Sequence, residues 1–275
     1  MRWLRPGARS CTRVGAMLAY EFMRHALLAA GIIAILAAVT GYFLVLRQQS
    51  FAGHALSHVG FAGAAAALLI GAPPLAGLLV FAVIGGIAMG FWGERAADRD
   101  VAIGVVLAVT LGLGVLFLSR VTVQANAATS LLFGNIFGVD VQTLKILAGV
   151  CVAGLGGMAL IWRKLLFATL HPELAQAHGV GLRALSVGFL VIVAFAVAAS
   201  AQIVGVLLVF TLLVAPAASA QRLCKTVAGG VALTVGLALM EAVSGVVLAY
   251  VTDTPASFWI SLLGGVIYVA AQALG

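Results

Sequence analysis

Two histidines stand one helical turn apart inside a stretch that is long and apolar enough to cross a lipid bilayer. The stretch runs from Phe51 to Gly71, FAGHALSHVGFAGAAAALLIG, and carries His54 and His58 with Ser57 between them. Side chains at i and i+4 share one helix face, and two neutral imidazoles placed in this way can hold one divalent metal ion. The alternative is that they are hydrogen-bond partners between packed helices, and the spacing leaves both possibilities open. Because an unpaired polar group in hydrocarbon costs roughly 2–7 kcal/mol, this face should look into protein or water.

The composition indicates what kind of element must position these histidines. The chain has 275 residues, of which 64% are hydrophobic and 8% are charged, whereas globular proteins carry roughly 25% charged residues. The sequence therefore predicts an all-α integral membrane protein with little mass outside the bilayer. The net charge of +7 indicates membrane topology rather than nucleic-acid binding, because arginines stand at the ends of the apolar stretches. The three scattered cysteines predict no disulfide framework.

The apolar stretches predict nine membrane-spanning helices, or eight if the sixth and seventh form one broken helix. Polar turns or prolines separate them, such as Pro73-Pro74 before the third and Asp253-Thr254-Pro255 before the ninth. The longest polar stretch, 120–140, surrounds a short apolar piece, SLLFGNIFG. The expected spans are approximately 26–46, 51–71, 74–92, 101–119, 141–162, 184–200, 203–220, 227–250 and 256–274.

The basic residues give the predicted orientation, because cytoplasmic connections of membrane proteins are rich in lysine and arginine. Taken alternately, one set of connections holds most of them, namely Arg47, Arg95, Arg99, Arg163, Lys164, Arg183, Arg222 and Lys225. This set, which includes the 163–182 connection, is predicted to be cytoplasmic. The basic segment 1–25 then falls outside, against the rule. It either lies on anionic lipid or reflects an upstream start codon, with Met17 as the natural beginning. Residues 26–275 are predicted to form a single transmembrane domain.

Two further residues inside predicted spans are candidates for a path through the membrane. Glu241 stands mid-span in GLALMEAVSG, where a carboxyl group lines a path, pairs with a histidine, or packs in protonated form between helices. Pro216, in LLVAPAASAQRL, frees a backbone carbonyl inside the membrane. Broken helices at membrane depth often line a pathway, although a packed kink explains a single proline equally well.

A short helix is predicted in the cytoplasmic connection at 169–179, TLHPELAQAHG. Pro172 and Glu173 suit the first helical turn, and Gly179 suits the position after the last one. Such a helix is what a partner subunit would grip, and the alternative is an interfacial helix without a partner. No GxxxxGK[ST] phosphate loop, HExxH pair or intramembrane nucleophile motif accompanies it. The sequence therefore favours a membrane component without an ATPase site over an enzyme.

Five ordered motifs resemble the permease subunits of the zinc, manganese and iron class of ABC importers, over nearly all of residues 17–275. In the family's second span a polar residue precedes Ala-Leu-Ser-His, small residues and glycine, and this pattern stands here from His54 to Gly63. The other matches, at compatible spacing, are Arg99 to Gly104, Leu132 to Val139, Pro172 to Val180 and Leu213 to Ala220. One such match is weak, but five in order are specific.

The resemblance implies a cobalamin-importer-like (type II ABC importer) permease fold in a bacterial plasma membrane. It implies import of zinc or manganese as cargo, with no permanently bound cofactor. Its partners would be a second permease copy in a homodimer with the path at its centre, an ABC ATPase dimer on the cytoplasmic side and a metal-loaded binding protein outside. The lipid bilayer is the remaining partner, and no nucleic acid is implied.

Together, the residues and the resemblance give a predicted set of functional positions. The metal path is predicted to contain His54, Ser57, His58 and Glu241, with a kink at Pro216. The predicted ATPase contact comprises Pro172, Glu173, Leu174, Ala175 and Gly179. The family usually has aspartate where His54 stands. Two imidazoles favour zinc over manganese, because manganese prefers oxygen ligands.

The rival function is that of a secondary metal transporter, coupled to protons through Glu241 and the histidines. Such a carrier needs no ATPase. The cytoplasmic Pro-Glu-Leu-Ala helix argues against it, because a self-sufficient carrier has no use for a docking helix of this kind.

Overall fold

The computed structural model describes residues 17, 19–92, 96–120 and 130–274, and in these ranges the chain is helical without a strand. A helical turn ending at Phe133 and a 3-10 turn at Ile136–Gly138 accompany ten α-helices. The helices are α1 (Glu21–Leu46), α2 (Ser50–Leu69), α3 (Pro74–Trp92), α4 (Ala96–Arg120), α5 (Val141–Leu170), α6 (Pro172–Ala177), α7 (Leu182–Val204), α8 (Val209–Leu223), α9 (Val227–Thr252) and α10 (Ala256–Leu274). Most of the predicted basic segment 1–25, and residues 93–95 of the charged turn, lie outside the described residues.

The number of spans follows from the length of one helix. In the described ranges, eight helices are long and apolar enough to cross a membrane, namely α1 to α5, α7, α9 and α10. Helix α8 has 15 residues, about 22 Å at 1.5 Å per residue, which is less than the roughly 30 Å of hydrocarbon. It follows α7 after a break at 205–208. The predicted sixth and seventh spans are therefore one full span and one short helix.

Helix α5 continues past the predicted end of its span. The sequence places that end near Trp162, because Arg163 and Lys164 make the chain polar there, yet the helix runs to Leu170. Hydropathy marks where an apolar stretch ends, whereas a helix continues until a residue stops it. Pro172, which has no amide hydrogen, disfavours further helix in the residue before it. The end of α5 therefore extends beyond the apolar stretch and carries α6.

Burial separates inner helices from outer ones. In the most apolar window of α2 and of α7, 72% of the residues are buried, against 11% for α4. Helix α2 packs against α3, α4 and α7, and α1 packs against α5, α7, α8 and α9. These helices are apolar on nearly every side, so the sequence pattern alone does not indicate which face turns inward. The histidine-bearing helix α2 is thus central, and α4 presents most of its surface to lipid or to another chain.

Contacts at the two ends of the bundle show which connections lie on the same side. At one end, the Arg47 guanidinium donates a hydrogen bond to the Thr169 hydroxyl at 3.2 Å, which joins the ends of α1 and α5 that were predicted to be cytoplasmic. At the other end, the Phe22 ring lies 6.2 Å from that of Phe137 and 6.5 Å from that of Tyr250. The start of α1, the 3-10 turn and the end of α9 therefore share the opposite side.

The break between α7 and α8 is covered by the segment that ends at Phe133. The Val206 amide donates to the Leu131 carbonyl at 3.2 Å, and the Leu207 amide donates to the Leu132 carbonyl at 3.4 Å. Irregular backbone at membrane depth needs such partners because no water is available there. The apolar piece inside the long polar stretch thus serves as the hydrogen-bonding partner of a helix break.

Two glycines allow these segments to meet backbone to backbone. Gly134 and Gly205 have positive φ angles of 76° and 91°, which residues with a Cβ rarely adopt. A Cβ on Gly134 would strike the Ile203 carbonyl, and a Cβ on Gly205 would strike the Leu132 carbonyl. Glycine is therefore required at both positions by conformation and by space.

Candidate functional site

The structure brings His54 and His58 together on one face of α2. Their ring centroids lie 4.7 Å apart in an edge-to-face arrangement with an interplanar angle of 85°. Both side chains are partly exposed in the single chain. The Nδ1 atom of His54 is buried and has no hydrogen-bond partner among the described residues. The pair therefore retains nitrogen lone pairs that could bind a cation.

Ser57 lies next to the histidines in sequence but faces the interior. It is fully buried, and its hydroxyl donates to the backbone carbonyl of His54 at 2.7 Å. This bond within the helix uses the hydroxyl hydrogen and leaves the oxygen only as an acceptor. Ser57 thus supports the backbone that carries His54.

Aromatic rings flank the histidine pair. The Phe210 ring, from the first turn of α8, lies 5.5 Å from the His54 ring in an edge-to-face arrangement. The Phe51 ring lies 6.3 Å from the same imidazole. Both phenylalanines are exposed in the single chain. No sequence pattern pointed to Phe210, because its contact with α2 depends on how the chain turns at 205–208.

Glu241 occupies a different place, between α8, α9 and α10. Its side chain is 0% exposed, and neither carboxyl oxygen has a hydrogen-bond partner in the described part of the chain. A Cβ on Gly264 of α10 would lie 2.8 Å from the Oε1 atom of Glu241 and 2.7 Å from the Cγ2 atom of Thr211. The described residues contain no group of three or more His, Cys, Asp or Glu side chains that could hold a metal ion. The predicted path residues are therefore in at least two places.

The first turn of α8 lies between these two places. Phe210 contacts His54, and its neighbour Thr211 lies beside the niche of Glu241 and Gly264. Glu241 stands near the middle of α9, so α8 begins inside the membrane. Pro216 lies buried within α8, where it removes the hydrogen bond to the carbonyl four residues earlier. The short helix thus begins at a break and contains a second irregular position.

Helix α6 has the start and the end that the sequence predicts. Pro172 occupies its first turn, Ala175 is buried, and Glu173 and Leu174 are exposed. The Val180 amide donates to the Ala175 carbonyl at 3.0 Å, and Gly179, with φ of 76°, donates to Gln176 at 3.0 Å. These two bonds form a Schellman motif. The helix therefore exposes one acidic and one apolar side chain.

A polar cavity of about 750 Å³ separates α6 from the ends of the spans. Its lining comes from α1, α3, α5, α6 and α7 and includes Arg47, Gly90, Ala168, Pro172, Gln176 and Arg183. Because α6 packs against the bundle mainly through α5, it stands apart from the spans on its outer side.

The fold and the site define the class of the molecule as a multi-pass permease of the bacterial plasma membrane. The chain belongs to the ABC 3 transport family, whose model matches residues 19–275. This finding confirms the resemblance and the all-α permease fold predicted from the five motifs.

Three known proteins illustrate the similarity. The chain is 27% identical over 256 residues to the manganese transport system membrane protein MntC of Halalkalibacterium halodurans, covering 93% of this chain and 88% of the relative. It is 27% identical over 239 residues to the high-affinity zinc uptake system membrane protein ZnuB of Haemophilus influenzae, covering 86% and 91%. Among solved structures, a chain of PsaBC from Streptococcus pneumoniae in complex with Fab superposes with a TM-score of 0.85 at 25% identity, covering 95% and 94%.

Proposed function

We propose that this chain is the permease subunit of an ABC importer for divalent transition-metal ions, with zinc as the preferred cargo and manganese next. The observation that carries the proposal is the pair of imidazoles 4.7 Å apart on the central helix. Polar groups in such a position are costly unless they are paired or used. Relatives named for manganese transport and for zinc uptake support the same class of cargo.

His54 and His58 form a transient metal-binding site, called the histidine station, rather than a storage site. Two imidazoles with water as the remaining ligand bind a cation weakly, whereas a closed four-ligand cage would hold zinc too tightly for release. A second permease copy supplies a second pair, because the histidines are partly exposed on a single chain. The aromatic rings of Phe51 and Phe210 beside the station limit the access of water to it.

Energy comes from a separate ATPase dimer that grips α6. The exposed Glu173 and Leu174 provide charge and apolar area for such a contact, and the Schellman motif fixes the shape of the helix. A metal-loaded binding protein delivers the cargo on the opposite side. A direct test is radiometal uptake by proteoliposomes that contain the permease, its ATPase and its binding protein. Zinc should accumulate only with ATP and the ATPase, whereas accumulation driven by a proton gradient without them would contradict the proposal.

Replacing Glu173 and Leu174 together by alanine should uncouple ATP hydrolysis from transport. Uptake is expected to fall by on the order of tenfold, the effect of losing about 1.4 kcal/mol at an interface hot spot, while the permease remains at its normal membrane level. The measurements are uptake and ATPase activity of the reconstituted complex. A matched control is Glu21→Ala with Leu28→Ala, two exposed positions on α1. Equal uptake by the two double variants would argue against α6 as the ATPase contact.

Replacing His54 by aspartate should shift the preference from zinc toward manganese. The change exchanges an imidazole for a hard oxygen ligand, which suits manganese better. The measurement is competition between the two radiometals for uptake by the complete transporter. His54→Gln is the control, because it lowers uptake of both metals without supplying a carboxylate. An unchanged ratio of zinc to manganese in His54→Asp would mean that this position does not select the metal.

A further inference from the structure

The carboxyl group of Glu241 has no partner among the residues that the structure describes. Its side chain is fully buried, and both oxygens lack a hydrogen bond in the described part of the chain. An ionised carboxylate in such a place is very costly unless a cation or several donors compensate it. The described residues supply neither a cation nor a hydrogen-bond donor to it, so the neutral acid is the form that this packing accommodates.

The surroundings of the carboxyl group are uncharged on each helix that packs against α9. Helix α8 contributes Thr211, and α10 contributes Gly264, whose Cβ would lie 2.8 Å from Oε1. Among the described residues, neither oxygen has a hydrogen-bond partner and no ion pair to the carboxyl group is present. On α1, Tyr42 contacts Gly230 of α9, about 17 Å along the helix axis from Glu241. The charged side chains at the start of α1 belong to the end of the bundle where Phe22 meets Tyr250.

We propose that Glu241 is a proton-binding site separate from the histidine station. The two lie on opposite sides of the first turn of α8, where Phe210 touches His54 and Thr211 touches the Glu241 niche. The bound proton keeps the acid neutral and so holds α8, α9 and α10 in contact at mid-membrane. The proposal does not depend on the identity of the cargo metal.

The proton leaves only when these helices part. Ionisation requires water at the carboxylate, and water reaches it only if α10 moves away from α9 at Gly264. The Ser261 hydroxyl of α10 is also buried and has no hydrogen-bond partner among the described residues, and it shares a helix face with Gly264. The interface between α9 and α10 thus contains two polar groups, the Glu241 carboxyl group and the Ser261 hydroxyl, without hydrogen bonds among the described residues.

Infrared spectroscopy of the complete transporter in lipid tests the assignment. The C=O stretch of a protonated carboxylic acid is expected at neutral pH, with slow exchange after transfer to deuterium oxide. Glu241→Gln should remove this band, whereas Glu21→Gln, at an exposed carboxyl group, should leave it unchanged. Gly264→Ala should shift its frequency while the acid stays in place, which identifies the band even if Glu241→Gln folds poorly.

Thermal unfolding provides a second measurement. Stability falls with rising pH wherever the folded state binds more protons than the unfolded state. The melting temperature of the wild type should therefore fall more between neutral and alkaline pH than that of Glu241→Gln. A carboxylate band from Glu241 at neutral pH would overturn the proposal. Loss of the acid band when zinc or manganese is added would also overturn it, because Glu241 would then be a metal ligand.

Discussion

Metal uptake should be nearly abolished when His54 and His58 are both replaced by alanine. The double change removes both imidazoles of the intramembrane pair, whose rings lie 4.7 Å apart. Removing even an outer partner of a metal ligand typically costs roughly 10–100-fold in affinity or activity, so loss of both ligands should cost at least as much. The measurement is uptake of radioactive zinc and manganese in cells that express each variant at equal membrane level.

The control for this variant is His25→Ala. His25 lies near the start of α1, at the opposite end of that helix from Arg47. This substitution makes the same chemical change outside the pair and should transport normally. If the double variant imports zinc at the wild-type rate, the two histidines have a structural role. The single variants test whether both imidazoles bind the same ion. If they do, uptake should fall nearly as far in each single variant as in the double variant.

The largest effect on folding is expected from alanine at Gly134 or Gly205. Each substitution adds a Cβ to a residue with positive φ, which costs roughly 1–2 kcal/mol by itself. The new Cβ also collides with a carbonyl of the facing segment, so the two segments must separate and expose the backbone of the break. We expect a lower melting temperature and a lower level of folded protein, measured by fluorescence-detected gel filtration in detergent.

Gly149→Ala provides the matched control for these variants. Gly149 lies in α5 with no atom within 4 Å of the added Cβ, and alanine favours helix over glycine by roughly 0.5–1 kcal/mol. This variant should fold as well as the wild type. Wild-type stability in Gly134→Ala would show that the backbone pairing at 131–134 and 205–207 contributes little.

Local features of the sequence predicted much of the fold and part of the site. The composition alone predicts a membrane protein, because each span must be nearly free of charge. The spacing of His54 and His58 predicts a shared face wherever the helix lies. Pro172 and Gly179 predict both ends of α6, because each acts through the backbone of its own segment.

Features that depend on distant contacts could not be predicted. The pairing of the break at 205–207 with residues 131 and 132 joins segments far apart in sequence, and no local pattern encodes it. The sequence also did not separate Glu241 from the histidines. That separation depends on α8 starting inside the membrane, which brings Phe210 to one side and Thr211 to the other.

The burial of α2 has a consequence for how the protein is made. Among the eight spans, α2 is the least apolar and one of the two most buried. The translocon passes helices into lipid according to their hydrophobicity, so the helix with the histidine pair partitions least readily by itself. Only the short turns at 47–49 and 70–73 connect it to α1 and α3, both of which are more apolar. We therefore expect α1 and α3 to carry α2 into the bilayer during synthesis, so that the three helices insert together.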